Sequence, residues 1–308
     1  MGPVATSTTL LPVRWVWRLA AALAAAASLI FWTGRCTDID LALADAVFDA
    51  GSGVFPWRHA WLAETFSHVI LKWLLTLLAL GFIGGALADL ARPRAGMDAH
   101  ARLRLRVVAL SALLVPLAIG MLKQFSTSHC PWDLLRYGGD QPYVRLFEAL
   151  PAGAVAGQCL PAGHASSALW LLSLAVYWLP ARPRMAGAAA VIALAFGAAL
   201  GYLQQLRGAH FMTHTLWSIW IACAIVLFLA AALRARPSRR KAPSNPLSEP
   251  FHVATARAAA AVRLAGRVLF GLRRHRRRLA PQPAPVALEP VLQVVDIGVD
   301  RRHHQQAQ

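Results

Sequence analysis

The sequence predicts an all-α fold, a polytopic membrane helical bundle with six transmembrane helices and a basic cytoplasmic tail. Three observations predict it. Of the 308 residues, 57% are apolar and only 15% charged, against roughly 45–50% and about 25% in soluble chains; mean hydropathy is +0.48. The apolar residues gather into six runs near the length of about 20 residues that a helical span needs. Charge is lopsided: 15 of the 31 Lys+Arg, but only 4 of the 14 Asp+Glu, lie from Arg234 onward. A net charge of +17 placed this way argues for a basic tail on a membrane body and against a nucleic-acid-binding fold, while the apolar composition excludes a disordered chain, a fibrous repeat and most soluble enzymes. Four cysteines are too few for a disulfide scaffold.

Taken in order, residues 1–14 are a cytoplasmic N-terminus, 15–233 a six-span domain and 234–308 the tail. The first span, Trp15–Trp32, follows Arg14 and Arg18 and resembles a signal sequence, with small residues at Ala24–Ala27. Its Phe31-Trp32 end is an interfacial anchor and favours an uncleaved span. The second is His68–Leu87. Glu64, His68 and Lys72, four apart, lay a polar stripe at its outer end, with Lys72 either snorkelling to the surface or facing a cleft. Val107–Leu122 is the third. Ala165–Leu179, the fourth, is short and is expected to begin inside the preceding loop. Met185–Leu203 and Phe211–Leu233 complete the set. Lipid leaves no partner for open backbone groups, so these runs are expected to be helices.

Arginine sets the orientation. Arg14 and Arg18, then Arg92, Arg94, Arg102, Arg104 and Arg106, then Arg182 and Arg184, and finally the tail all fall on one side of a six-span chain. That side is expected to be cytoplasmic, with both termini, in a bacterial inner membrane. The other side carries loops at about 33–67, 123–164 and 204–210, the first rich in Asp38, Asp40, Asp45, Asp49 and Glu64. In the tail, 235–250 reads as a Pro/Ser/Arg-rich linker. Residues 253–279 alternate apolar residues with Arg, as would either an amphipathic helix on an anionic leaflet or a solvated segment.

Polar residues concentrate where spans meet the external loops, and ionisable groups there are costly enough to be functional candidates. Lys123 ends the third span as a fixed cation. Pro161-Ala162-Gly163-His164 opens the fourth, and a glycine at a helix start lets backbone N–H groups approach an anion. Arg207, His210 and His214, three and four apart, share one face if helical. Cations, an amide cradle and two or three imidazoles suit phosphoryl transfer: cations hold the non-bridging oxygens, one imidazole attacks phosphorus and another protonates the leaving oxygen.

These stretches resemble the three motifs of the type 2 phosphatidic acid phosphatase superfamily, K-x6-R-P, P-S-G-H and S-R-x5-H-x3-D, in order and over roughly residues 60–233. Lys123 to Cys130-Pro131 has the first spacing, with Cys130 for arginine. Pro161-Ala162-Gly163-His164 matches the second, with Ala162 for serine. In the third, His210 takes the histidine position, Leu203-Gln204 falls on Ser-Arg and His214 on the aspartate. The resemblance implies a helical bundle that acts without a metal or other cofactor, through a phosphohistidine, on a lipid phosphate or diphosphate at the external leaflet. His210 would be nucleophile and His164 general acid, with His214 orienting His210. Lys123 and the Ala162–His164 turn, Gly163 included, would bind phosphate. Arg207 and Arg136 would replace the two lost arginines, and Asp133 or Glu64 the lost carboxylate.

Other readings stand beside these. His210 and His214 at i, i+4, with His129 or Asp133, would also suit a metal, though no H-E-x-x-H supports it. Cys130 and Cys159 either form a disulfide tying two motif loops together or remain free thiols. The departures from the motifs leave open a catalytically impaired lipid-phosphate binder; a transporter or channel has no broken repeat to support it. The sequence names neither the lipid nor the oligomeric state.

Overall fold

The computed structural model describes residues 9–146 and 148–235, except the side chain of His68. The expected tail linker and the amphipathic stretch 253–279 fall outside the described residues. Among those described, helices dominate and no strand forms; two isolated bridges occur in loops.

α1 is Val13–Cys36, α2 Ile39–Asp45, α3 Leu71–Ala91, α4 Ala99–Lys123, α5 Gly163–Leu169, α6 Pro183–Leu206 and α7 Met212–Ala232. A π-helical stretch, Leu62–Ile70, runs directly into α3. Five of these units are long and apolar enough to cross a membrane: Val13–Cys36, Leu62–Ala91, Ala99–Lys123, Pro183–Leu206 and Met212–Ala232. Their outward faces carry large exposed apolar side chains, among them Trp17, Leu77, Ile192 and Phe228. Apolar surface on that scale belongs against lipid, and the chain is built as an all-helical multi-pass membrane protein.

The fourth expected span differs. α5 is followed by a 3-10 helix, Trp170–Trp178, so the segment holds 7 and 9 residues of two windings. At about 1.5 and 2.0 Å per residue it extends roughly 28 Å, close to a hydrocarbon core despite its short sequence. It is the inner helix of the bundle, with Ala165, Ala168, Leu169, Trp170 and Val176 buried against α4, α6 and α7. Close approach to α6 depends on Gly197 and Gly201. A Cβ at Gly197 would lie 2.3 Å from Leu169, and one at Gly201 2.2 Å from Thr215 of α7. Small residues four apart are a common way for helices to meet without a hydrophobic driving force.

One boundary and one surface differ from expectation. α4 starts at Ala99, not Val107, because the Asp98 carboxylate accepts from Ala101 N–H at 2.6 Å and nothing between breaks the helix. Arg102, Arg104 and Arg106 are therefore helical; Arg102 pairs with buried Asp89 at 3.3 Å, and Arg104 donates to the Leu179 carbonyl at 2.8 Å. The expected Glu64–Lys72 stripe does not act as one surface, since its two ends find different surroundings. Glu64 turns to His59 and Arg207, whereas Lys72 lines a groove beside α4.

Candidate active site

Three connections bring the polar residues together at one end of the bundle. The turn before α5 docks on α7: Ala162 N–H donates to the His214 carbonyl at 3.1 Å, and the Ser218 hydroxyl donates to the Ala162 carbonyl at 3.0 Å. The link from α6 to α7 turns at Gly208, whose φ of +72° suits glycine and where a Cβ would strike Phe55 at 2.4 Å. Its carbonyl accepts from Trp132 N–H at 3.0 Å, tying in the loop after Pro131. The third connection is a disulfide between Cys130 and Cys159, S–S 2.01 Å and Cα–Cα 5.4 Å, which joins the loop of the first motif to that of the second.

The result is a histidine cluster. His164 Nδ1 lies 3.4 Å from His210 Nε2, although the residues are 46 apart in sequence. The rings of His210 and His214 stand edge to face, centroids 5.8 Å apart. His210 is 2% exposed. Burial holds its pKa well below the ordinary imidazole range, and the fields of His214, His164 and Lys123 push the same way. The imidazole is therefore neutral, the state a nucleophile needs. Its Nδ1 lies 3.3 Å from Cys159 Sγ, so Nε2 is the nitrogen that faces His164. Disulfide sulfurs carry no proton, so the 3.2 Å approach of Cys159 Sγ to the Ala209 carbonyl is a packing contact. For the same reason Cys130, Cys159 and His210, clustered here, offer no pair of thiolates to a metal.

Lys123, Gly163 and His164 sit at the head of a groove of about 630 Å³ between α3, α4 and α5. Away from them its walls are apolar, with Leu80, Leu113 and Leu117 exposed along the groove. Gly120 lines it too, with open space over its Cα, since a Cβ there would meet nothing within 4 Å. Lys72 and Thr76 line the α3 side.

The arginines lie elsewhere. Arg207 is buried, donating to the Arg58 carbonyl and to Gln204 Oε1, both at 3.0 Å, and pairing with Glu64 at 3.5 Å. Gln204, at the family's arginine position, donates to the Ala63 carbonyl and to Ser67. Arg136 forms a fork on Asp45, 2.8 and 2.6 Å, at the protein surface. Both guanidinium groups are thus committed to protein acceptors. The Ala162 amide is likewise spent on His214, so its role is to fix the turn. Asp133 caps its own 3-10 turn through Cys130 N–H.

Sequence reasoning missed Asp40. This α2 residue is 5% exposed and accepts from Thr213 N–H at 3.0 Å and from the Thr213 hydroxyl, capping α7. Burial raises its pKa, and the Thr213 bonds oppose that shift. With His129, Tyr143 and His214 it lines a small cavity of about 10 Å³. The only hint in sequence was a carboxylate in an acidic loop, with no spacing to link it to residues 170 positions away.

Residues 104–238 match the family model of the PAP2 superfamily, a match that supports the resemblance of this segment to the type 2 phosphatidic acid phosphatases. Comparison with curated proteins and with solved structures found no match.

Proposed function

We propose that this protein is a membrane phosphatase, or phosphotransferase, that removes the phosphate of a lipid phosphate or diphosphate through a phosphohistidine. The observation that carries the reading is the 3.4 Å approach of buried His210 to His164, which itself lines the polar head of an apolar groove. In this scheme Lys123 and the Gly163–His164 backbone hold the non-bridging oxygens. His210 Nε2 attacks phosphorus, the P–O bond to the lipid breaks, and protonated His164 gives its proton to the leaving oxygen. Water, deprotonated by His164, then cleaves the N–P bond. The groove wall of Leu80, Leu113 and Leu117 accommodates the lipid chain. The α5–3-10 segment serves as a sixth crossing, which puts the site on the side opposite Arg92–Arg106, facing out of a bacterial inner membrane. No metal takes part in the scheme.

A second reading has support in the arginines. With Arg207 and Arg136 paired to Glu64 and Asp45, Lys123 is left as the cation beside His164 in the groove, which would suit a protein that binds a lipid phosphate without hydrolysing it. Purified protein offered a panel of lipid phosphates separates the two. The enzyme releases inorganic phosphate, is inhibited by vanadate and is indifferent to chelator, whereas the binder releases none. His210→Ala should lower phosphate release by at least about a thousandfold; undiminished release from that variant would end the proposal.

A further inference from the structure

The superfamily's third motif ends in a carboxylate, and this chain has His214 there. An imidazole supplies no negative charge to offset the positive charge that His210 acquires as it attacks phosphorus. The carboxylates nearest in the motif loops are engaged: Glu64 with Arg207 and His59, Asp133 with the Cys130 amide. Asp40 is placed differently. It bonds to Thr213, the neighbour of His214, and shares the small cavity with His214 and His129. His129 and His214 are 5% and 3% exposed, and among the described residues neither Nδ1 has a hydrogen-bond partner. Buried polar atoms without partners are rare and need an account. A polar cavity of about 10 Å³ has room for roughly one water molecule.

We infer that Asp40 is the carboxylate of this active site, a positioning residue that acts on His210 through His214, with one water in the cavity joining the Asp40 carboxylate to the His214 imidazole. The geometry stands by itself; the catalytic consequence rests on the phosphatase reading. As the N–P bond forms, the Asp40 charge offsets the growing charge on His210 and fixes the His214 ring edge-on to it. No proton is transferred in this role. The same two carboxylate oxygens cap α7, which locks α2 onto the helix that carries His214. Thus one residue from the first loop takes over the electrostatic part of a motif some 170 residues later.

Asp40→Asn tests this, because the amide keeps an acceptor for Thr213 N–H and a donor for its hydroxyl while removing the charge. Phosphate release should fall in kcat by about tenfold to a hundredfold, with KM little changed. In a His214→Ala background the same substitution should cost nothing further. Thr213→Val, which drops one bond but keeps the charge, should retain most of the kcat. Independently of turnover, the ¹⁵N resonances of the His214 ring should shift in Asp40→Asn while those of exposed His59 stay put. An Asp40→Asn protein with wild-type kcat and unmoved His214 signals, or equal losses with and without His214, overturns the inference. Should the wild type hydrolyse no lipid phosphate, the phosphatase reading falls, and the spectra alone decide whether Asp40 acts on His214.

Discussion

The apolar walls of the bundle and its polar, motif-bearing end are held together by different physics. Along α3 and α6 the side chains facing outward are leucines, isoleucines and aromatics, and α6 meets its neighbours through glycines at which a Cβ would lie 2.2–2.3 Å from a side-chain atom. Shape is what fits there, since lipid competes equally for apolar surface. At the motif-bearing end the loops between helices are cross-linked by directional bonds: the Cys130–Cys159 disulfide, Arg145 to the Thr37 carbonyl at 2.8 Å and to Asp38 at 2.5 Å, Arg136 on Asp45, and Asp40 on Thr213. Walls of this kind tolerate small adjustments. The loops are held more tightly, and the phosphoryl transfer proposed above would need such fixed placing of its imidazoles and cation.

Three perturbations sharpen that contrast, in decreasing order of effect. The largest strikes the directional region. Replacing Cys130 and Cys159 with serine opens a loop of 29 residues' separation and should lower stability by about 3–4 kcal/mol. Thermal unfolding in detergent, with and without reductant for the native protein, measures it; equal melting temperatures would show the two loops are held without the bridge. Next comes the wall. Gly201→Leu drives a side chain into Thr215 and should cost about 1–3 kcal/mol, whereas Gly187→Ala, in the same helix with nothing within 4 Å of the added carbon, should be neutral or gain up to about 1 kcal/mol. Similar melting temperatures for the two variants would mean that α6 has no steric constraint on one side. The smallest effect belongs to Arg136→Ala. Its fork on Asp45 is solvent-exposed, with side chains 54% and 39% accessible, so melting should scarcely change at neutral pH. Arg136 holds the Asp45 carboxyl below the usual carboxylate range. Whatever stability the pair adds is therefore present at neutral pH and is lost as the pH falls through that lowered pKa, so variant and native protein should converge in acid.

Much of this could be read from the sequence, for a reason that differs by element. Apolar runs of nearly 20 residues announce helices because lipid permits little else, and five of the six runs became helices long enough to cross. The fourth was visible but its winding was not: a run of 15 residues says nothing about whether it coils as α or stretches as 3-10. Lys123, His164 and His210 were legible because their motif spacings are local, each within one short segment, and the fold brings them to one place. For Arg207 and Arg136 the sequence shows a charge but not its partner, which in the structure is Glu64 for the one and Asp45 for the other. Lys72 lines the groove while Glu64 pairs with Arg207, a division of partners that four-residue spacing does not reveal.

What the sequence determined alone is the medium and the candidate chemistry: helices in lipid, an arginine-rich side, and motif residues of a phosphoryl-transfer superfamily. Hydrophobic length, charge count and short-range spacing are properties of contiguous chain, so they survive without coordinates. Tertiary structure alone decided which nitrogen of His210 faces His164, which sulfurs joined, and that Asp40 bonds Thr213 and shares a cavity with His214. The bonded residues stand 29 to 173 positions apart, and only packing of the whole bundle can select one partner among several of equal charge.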